Sequence, residues 1–147
     1  MASKRKPRVF LDSNVIFSGL YSPRGSPALI LEHFVAGDIS VVVSQQVLEE
    51  VVRTIKKKLP DALPILKRLL MSTPPEVTSD PPLEAIKRRK KKLSIADVSV
   101  LEAAITAHPD YFITGDNHFL DDPHLSEDTG LHIITPAGFL KILKQGY

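Results

Sequence analysis

Near its N terminus the chain reads Arg8-Val9-Phe10-Leu11-Asp12, a short apolar run that ends at an acid. An uninterrupted apolar run of this length is typical of a strand that is buried on both faces, as in a parallel sheet. A second run, from Ile39 to Val43, is rich in β-branched residues, which favour strands. The two runs therefore predict two buried strands, with Asp12 at the end of the first.

Helices are predicted between and after these strands, because hydroxyl residues stand where helix N-caps are expected. Ser26-Pro27 places a cap before a proline, an arrangement favoured at a first helical turn, and Gly37 ends that helix. Thr135-Pro136 repeats the pattern near the C terminus. The other predicted elements are a helix capped by Ser44, a short helix from Pro60 to about Met71, a helix from Ser94 to Ala107, and strands at 111–114 and 131–134.

Strands that alternate with helices favour a parallel sheet with helices on both faces. The sequence therefore predicts an α/β fold of three layers, α/β/α, around a central parallel sheet of about four to five strands. Four prolines lie between Thr73 and Pro82 and predict a surface loop there. The length of 147 residues is that of one domain, so we assign 1–147 to a single domain.

The composition limits the classes of protein to which the chain can belong. No apolar stretch approaches the roughly 18 residues that a membrane helix needs, so no membrane span is expected. The basic N terminus lacks an apolar signal region, and there are no cysteines for disulfides or thiolate metal sites. We therefore expect a protein of the cytoplasm.

The most concentrated charge in the sequence is a run of six cations, namely Lys87, Arg88, Arg89, Lys90, Lys91 and Lys92. Such a run is often only a solvated segment. If four acids are gathered in one metal site, however, 13 of the 17 acids remain against 19 bases, an excess of six positive charges. A basic surface around an acidic pocket suits a polyanion, and the run could contact the phosphates of RNA.

Two acids follow predicted strands directly. Asp12 follows the first strand, and Asp116 follows the strand at 111–114 after a single glycine. In open α/β sheets, ligands bind beyond the carboxyl ends of the strands, which makes both acids candidates for a site. Each acid could instead simply cap the following helix. Their occurrence together favours the site.

Two further positions are candidates on less direct grounds. Ser94-Ile95-Ala96-Asp97 fits a capping box, but at about 100° per residue Asp97 shares a face with Val100, Leu101 and Ala104, which points it toward the edge of the core. On the Ser44 helix, Glu49 and Glu50 both lie off the centre of the apolar stripe. Spacing alone does not choose between these two glutamates.

Several carboxylates at one place would suit Mg²⁺ or Mn²⁺, which prefer oxygen ligands. Zinc is not expected, because the five histidines show no metal-ligand spacing and are predicted to be surface or packing residues. The chain also lacks a glycine-rich phosphate loop and a nucleophile elbow. These absences disfavour nucleotide switching and serine hydrolysis.

Four segments together resemble one family. The segment Val9 to Ile16 is similar to the opening strand of PIN-domain nucleases, and the segment from Asp97 to Ala104 resembles the family's helix that begins with an acid. The segment Tyr111 to Leu120, with its Thr-Gly-Asp, is similar to the most recognisable part of these nucleases. Ile134 to Leu140 resembles the end of the bacterial and archaeal branch of toxins in toxin-antitoxin pairs.

The resemblance implies a metal-dependent ribonuclease in which Asp12, Asp97, Asp116 and a glutamate hold one or two ions. The family pattern places that glutamate six residues after Ser44, at Glu50, with Glu49 as the rival. Hydrogen bonds to Asp12 from Ser13, Asn14 or Thr114 are expected to fix its oxygens, although the same side chains could serve only local turns. The implied partners are RNA as substrate, an antitoxin protein, and further copies of the chain in a homodimer or larger oligomer.

Two other functions remain open at this point. One is a non-catalytic PIN-like module that binds RNA or protein. The other is a phosphotransfer enzyme with Asp12 as nucleophile, which is disfavoured because Asn14 occupies the position where such enzymes need a second aspartate.

Overall fold

Five parallel strands form the centre of the part of the chain that the computed structural model describes, residues 5–89 and 93–146. They are β1 (Arg8–Leu11), β2 (Ser40–Ser44), β3 (Glu76–Thr78), β4 (Tyr111–Ile113) and β5 (Ile133–Ile134). Their order across the sheet is β3-β2-β1-β4-β5, and every pairing is parallel. The predicted parallel sheet is therefore confirmed.

Helices cover both faces of this sheet and complete the predicted three layers. Over the described residues the helices are α1 (Ser13–Tyr21), α2 (Ser26–Ala36), α3 (Gln45–Lys58), α4 (Leu63–Ser72), α5 (Leu83–Arg89), α6 (Ile95–Ala107), α7 (Asn117–Leu120), α8 (Leu125–Thr129) and α9 (Pro136–Lys144), with a 3-10 turn at Pro60–Ala62. Helix α1 packs against α2 and α3, and α2 packs against α9. Helix α6 packs against α5 and reaches β2.

The central strands are buried on both faces, which explains why they are apolar without alternation. Val9, Phe10 and Leu11 of β1 and Phe112 of β4 are all at most 1% exposed. The rings of Phe10 and Phe112 meet edge to face, with their centroids 5.5 Å apart. This packing holds the ends of β1 and β4 side by side, where Asp12 and Asp116 follow.

The strand order changes direction between β1 and β4. From β1 the chain proceeds outward to β2 and β3, and it then returns to the other side of β1 to form β4 and β5. Where the order reverses in this way, the helices leave the two strands toward opposite faces and a crevice opens beyond the strand ends. Asp12 and Asp116 flank that crevice.

The prediction of a loop from Thr73 to Pro82 is wrong in its middle, because Glu76–Thr78 forms β3 and pairs with β2. The four prolines flank this strand rather than interrupt it. Proline is tolerated beside an edge strand, where one row of backbone groups faces solvent. The high proline content concealed three residues that still pair.

Helix α1 was not predicted, although it starts directly after Asp12. Gly19 lowers its helix propensity, but the position requires glycine. A Cβ there would meet Leu31 Cδ1 at 2.6 Å and the Pro27 carbonyl oxygen at 3.0 Å. The glycine therefore allows the close approach of α1 to α2.

Three of the four helices predicted from N-caps begin where expected, but the cap predicted at Ser26 is wrong, because Gly25 is the N-cap of α2 and no side chain caps that helix. Ser44, Ser94 and Thr135 each accept a hydrogen bond from a backbone amide in the first turn of α3, α6 and α9. The final strand is shorter than predicted, Ile133–Ile134 instead of 131–134. None of the helices in the described residues is long and apolar enough to cross a membrane.

Candidate metal centre

Asp12 lies at the carboxyl end of the central strand and is 5% exposed. Its Oδ1 accepts a hydrogen bond from the Ser13 amide at 2.8 Å, which caps α1. Its Oδ2 accepts from Asn14 Nδ2 at 3.0 Å and from Thr114 Oγ1 at 2.8 Å. Capping and membership of a site, which we treated as alternatives, therefore coexist at this residue.

Thr114 links the two acids at the strand ends. Its hydroxyl donates to Asp12 Oδ2 and accepts from the Asp116 amide at 3.0 Å. The residue is fully buried, so no solvent competes for the hydroxyl. Thr114 thus sets the position of Asp116 relative to Asp12.

Asn14 makes a second connection between β1 and β4. Its Nδ2 donates to Asp12, and its Oδ1 accepts from the Gly115 amide at 2.8 Å. A Cβ at residue 115 would lie only 3.3 Å from that oxygen, which explains the glycine. The hydrogen bonds expected for Asn14 and Thr114 are present, whereas Ser13 contacts Asp12 through its backbone amide.

Burial raises the pKa of Asp12 from 3.8 to about 6, because desolvation disfavours the charged form. Hydrogen bonds from Thr114 and Ser13 oppose this increase, and the negative charges of Glu50 and Asp116 add to it. A buried carboxylate beside other carboxylates is electrostatically unfavourable unless a proton or a cation balances the charge.

The two candidate glutamates point to different places. Glu50 lines the same cleft as Asp12 and is partly buried. Glu49 is exposed, and its Oε1 accepts a hydrogen bond from Gln45 Nε2 on its own helix. The structure therefore brings Glu50, rather than Glu49, to the other acids.

Asp97 reaches the site from α6. Its backbone amide is capped by Ser94, whereas its carboxylate Oδ2 lies 3.0 Å from His118 Nδ1. The same nitrogen lies 3.6 Å from Asp116 Oδ1. Single ligand atoms of Asp97, Asp116 and His118 all lie within 4.8 Å of one another.

His118 is a surface residue as predicted, with its side chain 70% exposed, but its contacts with Asp97 and Asp116 were not predicted. The signal that could have revealed it is its place two residues after Asp116, in the first turn beyond a strand end. Spacing rules for metal-binding histidines did not apply, because Asp97 lies on a distant segment of the chain.

Together these side chains surround an open cleft of about 340 Å³. Its lining includes the four predicted acids, Asp12, Glu50, Asp97 and Asp116. They come from the ends of β1 and β4 and from α3 and α6. The fold thus brings together four carboxylates that are far apart in the sequence.

The PIN domain family model matches residues 8–118, about three quarters of the chain and a span that includes all four acids. The chain belongs to the PIN domain family.

Solved structures resemble this PIN domain over most of its length. One is PAE2754 from Pyrobaculum aerophilum, with a TM-score of 0.63, 20% sequence identity, and 95% of this chain and 90% of that chain covered. Another is VapBC2 from Rickettsia felis bound to a DNA fragment from their promoter, with a TM-score of 0.60, 14% identity, and coverage of 87% and 98%. A third is FitAcB from Neisseria gonorrhoeae, with a TM-score of 0.56, 18% sequence identity, and 88% of this chain and 98% of that chain covered. No curated protein sequence matches the chain.

The donor set of this PIN domain fits a divalent cation. Four carboxylates supply the hard oxygen ligands that Mg²⁺ and Mn²⁺ prefer. Burial raises the pKa of Asp12, and the neighbouring charges of Glu50 and Asp116 add to the increase, so a bound cation would stabilise its charged form. Asp12, Glu50, Asp97 and Asp116 could therefore hold such an ion.

The described part of the predicted RNA-binding run includes two residues that line a different cleft of the PIN domain. Arg88 and Arg89, at the end of α5, line a space of about 810 Å³, and Arg89 Nε donates to Glu102 at 2.6 Å. Lys87 is exposed on the same helix. Lys90, Lys91 and Lys92 lie outside the described residues.

The large cleft and the acid cleft are connected by a third, of about 540 Å³. It shares Asp122 and His124 with the large cleft and Asp97 with the acid cleft. The cleft lined by the arginines of α5 therefore adjoins the cleft of the acids through shared residues.

Proposed function

We propose that this PIN domain is a metal-dependent endoribonuclease that hydrolyses phosphodiester bonds of RNA, and that it is the toxin of a toxin-antitoxin pair. The observation that carries the proposal is the convergence of Asp12, Glu50, Asp97 and Asp116 on one open cleft. A purely structural cluster would more often pair acids with basic residues. Among the contacts of the described residues, the only ion-pair partner of these acids is His118.

Each residue has a separate part in the proposed mechanism. The carboxylates of Asp12, Glu50, Asp97 and Asp116 would hold the divalent ion. When bound, such an ion supplies Lewis acidity toward a phosphate oxygen and toward water. Thr114 and Asn14 hold the Asp12 oxygens in one orientation through the hydrogen bonds described above. That orientation is fixed before substrate arrives, which reduces the reorganisation required during the reaction.

The overall reaction adds one water across a P–O bond. The water oxygen joins phosphorus, the bond to the leaving sugar oxygen breaks, and the leaving oxygen takes a proton. One product ends in a phosphate monoester and the other in a hydroxyl. Because the cleft is open, an RNA strand can enter from the side without prior unfolding of the protein.

Cleavage of single-stranded RNA tests the proposal. Wild type is expected to cut with Mg²⁺ or Mn²⁺ and not with chelator, and Asp97→Asn is expected to lose most of this activity. Asp97 is the most informative position because α6 is capped by Ser94, so this variant removes a carboxylate without removing a cap. Asp12→Asn and Asp116→Asn should behave in the same way.

The matched control is Asp61→Asn, which neutralises an exposed acid outside the cleft and should leave cleavage unchanged. Cleavage that persists in chelator, or in the Asp97 and Asp116 variants, would show that the site proposed here is wrong. Metal binding without cleavage of RNA would favour the non-catalytic binding module.

The toxin role is supported by the resemblance of the fold to VapBC2 and FitAcB. Expression of the wild type in growing cells is expected to stop growth, and expression of Asp97→Asn is not. Co-expression with a neighbouring small reading frame should restore growth if that frame encodes the antitoxin. If Asp97→Asn also arrests growth, the toxicity does not depend on the carboxylates of the cleft.

Two further expectations accompany the proposal. The enzyme would act in the cytoplasm, where RNA is accessible, and it would form a homodimer or a larger oligomer. Light scattering of the purified chain measures its oligomeric state directly, and a monomeric mass would contradict the expected homodimer or larger oligomer.

A further inference from the structure

His118 brings an imidazole nitrogen to the carboxylates of the candidate metal centre. Its Nδ1 lies 3.0 Å from Asp97 Oδ2 and 3.6 Å from Asp116 Oδ1. Two ligands at right angles on an ion, each bonded at about 2.1 Å, lie roughly 3.0 Å apart. The distance from Nδ1 to Asp97 Oδ2 is therefore that between two neighbouring ligands of an octahedral ion. The distance from Nδ1 to Asp116 Oδ1, at 3.6 Å against 3.0 Å, is 0.6 Å longer.

The imidazole is carried by a well-anchored element. Phe119, the next residue, is 2% exposed, and its ring packs on Phe112 of β4 with centroids 5.2 Å apart. The His118 amide donates to Asp116 Oδ1 at 2.9 Å. The backbone of His118 is thus fixed on both sides, although the ring itself stands at the rim of the cleft.

The alternative is that His118 only forms an exposed ion pair with the acids, through a hydrogen bond of 3.0 Å to Asp97 and a longer contact with Asp116. An ion pair with one side chain 70% exposed contributes little to stability. An ion pair also needs only one carboxylate, whereas Nδ1 is close to one oxygen of each aspartate. The approach to both oxygens is what a shared ion would require.

We propose that His118 supplies a nitrogen ligand through Nδ1 to the divalent ion held by the carboxylates, and that this ligand favours Mn²⁺ over Mg²⁺. Both ions accept carboxylate oxygen, but Mg²⁺ is more restricted to oxygen ligands and water, so an added imidazole nitrogen shifts the preference toward the transition metal. The inference rests on the metal centre of the proposed function, and it adds a residue and a metal preference that the carboxylates alone do not provide.

Calorimetric titration with Mn²⁺ alone and with Mg²⁺ alone, without RNA, tests the preference. His118→Ala is expected to lower the affinity for Mn²⁺ at least about tenfold, a loss typical even of residues one step removed from a metal. The affinity for Mg²⁺ should stay close to the wild-type value. The matched control is His124→Ala, an exposed histidine that lines the adjoining cleft, and it should change neither affinity.

Electron spin-echo modulation of the Mn²⁺-loaded protein tests the bond itself. The wild type and His124→Ala should show strong ¹⁴N modulation from a directly bound imidazole, and His118→Ala should not. Equal Mn²⁺ affinity in wild type and His118→Ala, an equal loss of both metals, or unchanged ¹⁴N modulation would each overturn the proposal.

The same titrations separate this inference from the proposed function. If wild type binds Mn²⁺ and Asp97→Asn does not, the carboxylate site stands, and a null effect of His118→Ala refutes only the nitrogen ligand. If wild type binds neither Mn²⁺ nor Mg²⁺, the metal-dependent function itself fails and the inference fails with it.

Discussion

Asp12 is the residue on which the geometry of the cleft depends most. Its two oxygens accept three hydrogen bonds from Ser13, Asn14 and Thr114, and these bonds join the start of α1 to the end of β4. Each donor holds the carboxylate in place without neutralising its charge. The residue is therefore well ordered but electrostatically unfavourable, which is a common arrangement at functional sites.

The pKa of Asp12 makes the stability of the metal-free protein depend on pH. Since this pKa rises from 3.8 to about 6 on folding, burial of the charged form is a cost above pH 6 and is absent below pH 4. The contribution of Asp12 to the free energy of unfolding should therefore increase as pH falls from 7 to 4, by at most roughly 3 kcal/mol. Urea unfolding in chelator at several pH values measures it.

Asp12→Asn serves as the reference for this pH dependence, because all other titrating groups are common to both proteins. As pH falls, the unfolding free energy of the wild type should increase relative to that of the variant. A difference that stays constant from pH 7 to pH 4 would show that Asp12 has an ordinary pKa.

Thr114→Val should damage both the fold and the site. The substitution removes the acceptor of the Asp116 amide and one of the two donors to Asp12 Oδ2, which keeps only the hydrogen bond from Asn14. We expect a loss of about 1–3 kcal/mol in unfolding free energy and a loss of about 10- to 100-fold in Mn²⁺ affinity. Urea unfolding and calorimetry measure the two effects.

Thr114→Ser is the control for the hydroxyl, because it keeps Oγ and removes only a methyl group. It should retain most of the metal affinity, although the lost methyl group lowers stability slightly. If the serine variant loses as much Mn²⁺ affinity as the valine variant, the hydrogen bonds are not what positions Asp12.

At the scale of elements, the sequence was most informative where a cap and an apolar stripe agreed. Helices α3 and α6 were predicted correctly from Ser44 and Ser94, because each supplies a local hydrogen bond that is visible in the sequence. Helix α1 was missed because Gly19 is explained only by a contact with α2. Strand β3 was missed because pairing with β2 overrides its proline-rich surroundings.

The same limit applies to the candidate site. Asp12 and Asp116 were predictable because they directly follow strands, whereas the choice of Glu50 over Glu49 needed the family pattern. His118 was missed because its neighbour Asp97 comes from α6, 21 residues earlier in the chain. Contacts between distant segments depend on packing, which local spacing does not encode.

Helix α7 is the element that should be most sensitive to a change in packing. It has four residues, and Phe119 is its one buried side chain. Phe119→Leu should lower stability by less than about 1.5 kcal/mol while weakening Mn²⁺ binding, since Asp116 and His118 both depend on the position of α7. Calorimetry and urea unfolding together test this expectation.

Phe139→Leu is the matched control, because Phe139 is equally buried but belongs to α9, outside the residues that line the cleft. It should show a similar loss of stability and an unchanged Mn²⁺ affinity. Parallel losses of affinity in both variants would mean that general destabilisation, not α7, governs metal binding.

At the scale of the whole molecule, the strand order determines which residues meet. The parallel sheet and its layers follow from alternation in the sequence, but the order β3-β2-β1-β4-β5 does not. Only that order places the end of β4 beside the end of β1, and therefore Asp116 beside Asp12. If β4 did not lie beside β1, Asp12 and Asp116 would each follow a strand but would not lie close together.

Because the cleft of the α5 arginines adjoins that of the acids through shared residues, we expect RNA to contact α5 when its scissile phosphate lies at the acids. Arg88→Ala should weaken RNA binding and reduce the dependence of the binding constant on salt by about one phosphate contact. Fluorescence anisotropy at several salt concentrations measures both quantities. Use of chelator keeps the RNA intact during the measurement.

Arg68→Ala is the control for this prediction, because Arg68 is an exposed arginine on α4, outside the three connected clefts. It should leave both affinity and salt dependence unchanged. Equal effects of the two substitutions would indicate a general charge effect rather than a path along α5.

The separation of β1 from β4 in the sequence also determines when the cleft can form during synthesis. During synthesis Asp12, Glu50 and Asp97 are translated before β4, whereas Thr114 and Asp116 follow only after this strand, which pairs with β1. Until Asp116 has been translated, the nascent polypeptide therefore holds an incomplete set of acids. The messenger RNA from which it is read is near the chain throughout that interval, and the complete cleft forms only after Asp116 has been translated.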